Sequence, residues 1–270
     1  MVTALLLRTG ALGTLGGHAR GGGALIWRNA YVHRADLWVV VSGIVEPFLY
    51  LLSLGIGMGA LVGEIPYAGG TVDYAVYVAP AMLAAAAMTG ALTESTYNVF
   101  GKMKFMKLYE GVLATPVTPT GIALGEVGWA LLRSAVNAAF FVVTMVAMGL
   151  APSWWTLAAL PAAVLIGLAF AAAGMAFTTY LRTWQDFDYI TVMIFLLFLF
   201  SGTFAPITVY PDWLQWVVAA TPLYHGVALV RGLTTGAVSP ELLWHVAYLV
   251  ALTAAGLAIA GRRMTRMLTP

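Results

Sequence analysis

The stretch WTLAALPAAVLIGLAFAAAGMAFTTY runs from Trp155 to Tyr180 without one charged side chain. Wound as an α-helix at about 1.5 Å per residue, it is longer than the roughly 30 Å hydrocarbon core of a bilayer. Its apolar residues are continuous rather than alternating, which favours a helix over a strand of a membrane barrel. The whole chain shares this character. Of 270 residues, 61% are hydrophobic and only 9% are charged, and the mean hydropathy is +0.89. Soluble domains carry about a quarter charged residues. A water-soluble globule of this size could not cover so much apolar surface. Lipid can, provided that the backbone polar groups are satisfied inside helices. The expected fold is therefore all-α, a polytopic membrane protein with one membrane domain and no internal repeat.

Working outward from Trp155–Tyr180, five further stretches resemble it. The six expected transmembrane helices cover about 37–60, 74–95, 120–149, 155–180, 188–206 and 241–261. Lys and Arg set their orientation, because cytoplasmic loops carry the positive charge. With the N-terminus inside, Arg8, Arg20, Arg28, Arg34, Lys102, Lys104, Lys107, Arg182, Arg262, Arg263 and Arg266 all fall on the cytoplasmic side. Arg231 alone falls outside, and Arg133 lies within a span. Glu64, Asp73, Asp212 and Glu241 fall on the outer side. Both termini are thus expected in the cytoplasm of a plasma-membrane protein.

Residues 1–22, glycine-rich from Gly16 to Gly23, read as a flexible leader, with the membrane domain filling 23–270. Three pieces do not fit as spans. Residues 24–34 mix Leu25, Ile26, Trp27 and Tyr31 with Arg28, His33 and Arg34, the pattern of an amphipathic helix lying on the cytoplasmic surface. Residues 98–114 mix Phe100, Met103, Phe105, Met106 and Tyr109 with three lysines and Glu110. They hold too many charges to span and too much apolar surface to stay uncovered. Residues 207–236 are apolar but broken by Pro211 and Pro222. A full span there would carry Arg262, Arg263 and Arg266 to the outer side, so two short helices dipping in from the outer face are expected.

Several chemistries are excluded or weak. There is no cysteine, hence no disulfide, thiolate metal site or thiol nucleophile. Gly101-Lys102 is followed by Met103, so a phosphate-binding loop lacks its hydroxyl. Gly55, Gly57 and Gly59 lie inside an apolar span, where helix packing explains them, as it does Gly121 and Gly125. His18, His33, His225 and His245 form no metal-binding motif, and no metal site is expected. Ser201 with His225 offers a remote case for an intramembrane protease. Asp186 and Asp188 suit caps at the start of span five.

Ionisable residues inside spans are more informative, since each costs about 2.5–3.5 kcal/mol at the bilayer centre. Glu46 lies in span one. Glu126, Arg133 and Asn137 share one face of span three. They read either as the polar lining of a translocation path or as a structural pairing of Arg133 with Glu46 or Glu126. Glu94 reads as interfacial. An ion-coupled secondary transporter, with Glu46 or Glu126 carrying protons, is the alternative function this pattern allows.

Four stretches carry a family resemblance. They are Glu46-Pro47-Phe48-Leu49-Tyr50; Glu94-Ser95-Thr96-Tyr97 leading into Lys102-Met103; Leu113-Ala114-Thr115-Pro116-Val117 with Gly125-Glu126 and Trp129; and Leu199 to Phe204, continuing through Tyr210-Pro211, Trp213-Leu214 and Pro222-Leu223-Tyr224-His225 to Arg231. In this order they resemble the type-2 ABC exporter permeases, in particular the branch of nodulation lipo-oligosaccharide exporters (NodJ-type) and related drug-export permeases. The resemblance implies a transport subunit that is not itself an enzyme. ATP and magnesium would be bound by a separate ATPase subunit, and a second permease subunit, identical or related, would complete the path. It implies that 98–114 docks on the ATPase through Lys102, Lys104, Phe105, Met106, Lys107, Tyr109 and Glu110. It implies an outer hairpin whose gate comprises Trp213, Trp216, Pro222, Tyr224, His225 and Arg231. The cargo would be an amphiphile such as a lipid-linked glycan, a lipo-oligosaccharide or a hydrophobic drug.

Overall fold

The computed structural model describes residues 21–33, 45 and 48–268. Most of the expected leader, and the part of span one that holds Glu46, lie outside the described residues. Helix α1 covers 21–33 and α2 covers Phe48–Val62. Helix α3 runs from Tyr74 to Lys104, with a π-helical turn at Glu94–Asn98. Next come α4 (Leu108–Leu113), α5 (Pro119–Ala147), α6 (Thr156–Thr178) and α7 (Phe187–Leu199). Helices α8 (Asp212–Ala219), α9 (Pro222–Thr235) and α10 (Leu242–Leu268) complete the chain. Among the described residues, α3, α5, α6 and α10 are long and apolar enough to cross a membrane.

The local chemistry explains several boundaries. Thr118 caps α5 by accepting from the Gly121 amide, and Pro119 occupies the first turn, where no backbone donor is needed. Pro222 opens α9 in the same way, and Gly236 closes it in the left-handed region at φ 84°. Asp186 accepts from the amides of Arg182 and Thr183 at 2.7 and 3.0 Å, closing a capping box ahead of α7. Those bonds hold its carboxyl below its usual pKa.

Helix α6 is the hub, packing against α3, α5, α9 and α10. Small residues let backbones meet there. A side-chain carbon added at Gly256 of α10 would lie 2.6 Å from the Ala172 backbone. In lipid, such close packing replaces the hydrophobic drive that water would supply. Hydrogen bonds finish the contacts: Thr178 Oγ1 donates to the Ser95 carbonyl at 3.0 Å, and Arg263 Nε to Thr179 Oγ1 at 3.0 Å. These tie together the ends of α3, α6 and α10 that carry the basic residues. At the opposite end, the Ser153 amide donates to the Thr234 carbonyl at 3.2 Å.

Two expectations change, and one segment gains a shape. The chain is not purely helical: Glu64–Tyr67 (β1) and Gly70–Asp73 (β2) pair antiparallel, with Ile65 opposite Val72. Ala68 and Gly69 both take positive φ, 49° and 81°, the backbone that suits a two-residue hairpin turn. The alternation in Glu64-Ile65-Pro66-Tyr67 is too short to stand out between two apolar spans. Span five is helical only to Leu199: Phe200, at φ −108° and ψ 44°, already leaves the helix, and Gly202 follows at φ 69°. Residues 98–114 divide into two helical pieces. Helix α3 ends at Lys104, and Lys107 turns left-handed at φ 47° before α4 begins.

Candidate functional site

Helix α1 buries one face through Leu25 and Asn29, four residues apart, and leaves Trp27 and Tyr31 exposed. Leu25 is held by Gly125 of α5, where an added side-chain carbon would lie 2.8 Å from the leucine Cβ. Glycine at 125 therefore lets α1 lie against α5 and brings Asn29 to Glu126. Asn29 Nδ2 donates to Glu126 Oε2 at 3.2 Å, and Lys102 Nζ donates to the same oxygen at 2.7 Å. Lys102 also reaches Asn29 Oδ1 at 3.3 Å. The two charged side chains are 7% and 2% exposed. This lock joins α1, α3 and α5. Tyr109 of α4 is buried against it, and burial, followed by the charge of Glu126, raises its phenol well above the usual pKa. The Tyr109 hydroxyl faces Glu126, and Trp129 Nε1 is buried with no hydrogen-bond partner among the described residues.

The expected docking set therefore divides. Lys102 and Tyr109 point inward, so Lys102 is not an exposed rim charge. Burial without a counter-charge is costly for an ammonium, and Glu126 supplies that counter-charge. Lys104, Phe105, Met106, Lys107 and Glu110 point outward, with Phe105 and Met106 62% and 73% exposed. Phe105 stacks on Trp184 at 5.4 Å, and Phe100 and Phe187 close the cluster. The loop between α6 and α7 thus braces the break between α3 and α4.

The polar residues of span three find partners that sequence reasoning did not assign. Arg133 pairs with Glu94 of the π turn, not with Glu126. Asn98 Nδ2 donates to the other Glu94 oxygen at 2.8 Å. Glu94 is therefore a buried acceptor between two helices. Asn137 is half-buried one helical turn beyond Arg133. Glu46 lies outside the described residues.

At the opposite end, α8 carries Trp213 and Trp216 outward, 69% and 79% exposed. Pro222 starts α9, and Tyr224 is half-buried behind it. Arg231, expected as an outer charge, is only 5% exposed. Its Nε donates to the Tyr77 carbonyl at 3.0 Å, and its Nη2 to the Gly202 and Thr203 carbonyls at 2.9 and 3.3 Å. The guanidinium lies 3.7 Å from the Tyr77 ring centre. It fastens α9 to α3 and to the turn after α7. His225 and His245 meet with their Nδ1 atoms 2.7 Å apart, so one ring donates and the other accepts. Their twenty-residue separation gave no sequence signal. Ser201 bonds Thr203 at 2.7 Å and His225 is engaged with His245, so no Ser–His pair forms. No cluster of three metal-ligating side chains occurs among the described residues.

Comparison with known proteins agrees with a bundle of apolar helices. Nodulation protein J of Rhizobium leguminosarum bv. trifolii is 32% identical over 248 residues, covering 89% of this chain and 93% of that protein. Nodulation protein J of Bradyrhizobium diazoefficiens is 30% identical over 252 residues, covering 89% and 93%. The protein named "Probable doxorubicin resistance ABC transporter permease protein DrrC" of Mycobacterium tuberculosis is 28% identical over 244 residues, covering 84% and 83%. The family described as ABC-2 type transporter matches residues 22–234, and the chain belongs to that family as one of its membrane permeases.

Proposed function

We propose that this chain is the permease subunit of an ATP-driven exporter that moves an amphiphile outward across the plasma membrane. Two permease subunits, identical or related, form the path, and two ATPase subunits that bind ATP and magnesium dock beneath them. The observation that carries the reading is the protruding break between α3 and α4. There Lys104, Phe105, Met106 and Lys107 stand exposed together at the basic end of the bundle. An exposed aromatic and methionine beside two lysines suit an apolar groove with an acidic rim on a partner. Behind this surface, the buried Lys102–Glu126–Asn29 lock fixes α3 to α5 and α1. A push on the break is thereby passed to helices rather than absorbed in a loop, and packed helices shift as rigid bodies.

The rival reading, a proton-coupled transporter, draws less support. Of its two named carboxylates, Glu126 is held by Lys102 at 2.7 Å and is no free proton carrier, and Glu46 lies outside the described residues. The name of one relative, a doxorubicin resistance permease, supports a hydrophobic drug as one such cargo. Whichever cargo it is, it needs an apolar path with polar stations.

The test uses the absence of native cysteine. Lys104→Cys should react with a membrane-impermeant maleimide from the cytoplasmic side only. Phe105→Glu and Met106→Glu should each lower ATPase co-purification at least about tenfold, as loss of an interface anchor does, without lowering membrane insertion. Labelling of the Lys104→Cys variant from outside, or full ATPase association of both charged variants with full transport, would overturn the proposal.

A further inference from the structure

At the outer end, β1, the turn after α7, α9 and the start of α10 enclose a cleft of about 610 Å³. It is lined by Arg231, Tyr67, Tyr77, Tyr224 and His245, with Glu241 at its rim. Beside it lies an apolar groove of about 650 Å³ between α6, α9 and α10, floored by Leu165, Leu229, Leu233 and Val246. Val238, Ser239 and Leu242 line both, so the two are neighbours across a shared wall. From this pairing we infer a binding site for an anionic amphiphile, with an oxyanion head such as a phosphate or sulfate ester in the cleft and its alkyl chain along the groove.

Donor counting points to the sign of the head. A guanidinium has five N–H donors and no acceptor. Three of Arg231's serve the Tyr77, Gly202 and Thr203 carbonyls. The two on Nη1 have no partner among the described residues, and the buried charge has no carboxylate partner there. A guanidinium in that state is suited to a tetrahedral oxyanion. The Tyr67 and Tyr224 hydroxyls on the cleft wall add donors. Size argues against a free ion as the natural occupant. Each compartment falls in the range of small-molecule pockets, far larger than a phosphate. The apolar lining of the groove gives an alkyl chain the burial that a free ion cannot use. Exposed Glu241 is the one opposing charge at the rim, which makes it an independent handle.

The inference concerns binding alone and stands apart from ATPase docking. The purified permease in phosphatidylcholine nanodiscs, with empty nanodiscs as the blank, is titrated with octyl phosphate, inorganic phosphate and octanol. Octyl phosphate should bind saturably, with inorganic phosphate and octanol each at least about tenfold weaker. Val246→Trp, which fills the groove, should reduce octyl phosphate to the level of inorganic phosphate. Tyr67→Phe/Tyr224→Phe should weaken it, and Glu241→Gln should tighten it roughly two- to fivefold, the scale of an exposed charge contact. These variants leave the Arg231 fastening in place, so the result does not hang on Arg231→Gln folding. Equal binding of inorganic phosphate would remove the groove from the site, and equal binding of octanol would remove the anion. Either result, absence of saturable binding, or indifference to Glu241→Gln overturns the proposal. None of these outcomes bears on whether Phe105 docks an ATPase.

Discussion

The lock between Lys102 and Glu126 gives the sharpest prediction for stability. The charges sit 2.7 Å apart with 7% and 2% of their side chains exposed. At an effective dielectric of about 20, two unit charges at that separation attract by about 6 kcal/mol, before the cost of removing both from water is subtracted. The subtraction leaves the pair nearly neutral against an apolar substitute, but it makes loss of one partner severe. Lys102→Met leaves the Glu126 carboxylate buried with only the Asn29 amide to bond it. Glu126→Gln leaves the ammonium facing the Asn29 carbonyl oxygen. Each single variant should lose about 3–5 kcal/mol, whereas the double variant should lose clearly less than either. For a chain of this size that corresponds to a fall in Tm of roughly 10 °C for each single variant. Tryptophan fluorescence during heating in nanodiscs measures it, and the chain offers nine tryptophans as reporters. Single variants as stable as the parent, or a double variant as unstable as the sum of the singles, would refute the claim that the pair is buried and mutually dependent.

Two further outcomes follow from packing and from capping. Gly256→Val places a side chain where an added carbon lies 2.6 Å from the Ala172 backbone. It should destabilise the α6–α10 contact by about 1–3 kcal/mol, the usual cost of overpacking, seen in the same heating assay. Asp186 has a folded-state pKa below its ordinary 3.8 because the Arg182 and Thr183 amides donate to it. Its stabilisation is therefore present above that value and is lost as pH falls through the lower, folded one. Hydrogen-exchange protection of residues 184–187, corrected for intrinsic rate, should decline in that acid window, and Asp186→Asn should abolish the pH dependence.

Much of the fold was legible because apolar length is a strong signal. The helices found at Tyr74–Lys104, Pro119–Ala147, Thr156–Thr178 and Leu242–Leu268 follow from runs that no soluble structure could bury. A helix at 21–33 was legible from the mixture around Trp27 and Arg28, and Asp186 from its position before an apolar run. Partnerships were not legible. Glu94 and Arg133 are separated by 39 positions and Lys102 and Glu126 by 24, and spacing within one helix says nothing about which neighbour a charge meets. Arg231 illustrates the same limit. The charge rule assigned it to the outer side by count, but its burial depends on carbonyls freed where α7 stops at Leu199 and the chain turns at Gly202. The β-hairpin escaped because four residues of alternation between two hydrophobic spans carry little periodic signal.

Helix α3 reaches from one site to the other. Near its N-terminal end, Tyr77 offers its carbonyl and ring to Arg231. Near its C-terminal end, Lys102 closes the lock on Glu126. Between them, the π turn at Glu94–Asn98 holds an extra residue in the helix, a geometry often found at functional positions. Here the turn is braced rather than loose: Glu94 pairs with Arg133, and the Ser95 carbonyl accepts from Thr178. A braced turn transmits displacement, whereas an unbraced one would absorb it as bending. Spin labels at Val76→Cys and Lys104→Cys, in a chain without native cysteine, separate these behaviours in the complex with its proposed ATPase. The distance between them should stay constant within about 2 Å on ATP binding, while Glu94→Ala should allow it to vary. A change approaching one helical turn, about 5.4 Å, in the parent chain would make the π turn a hinge and would detach the outer cleft from motions of the inner break.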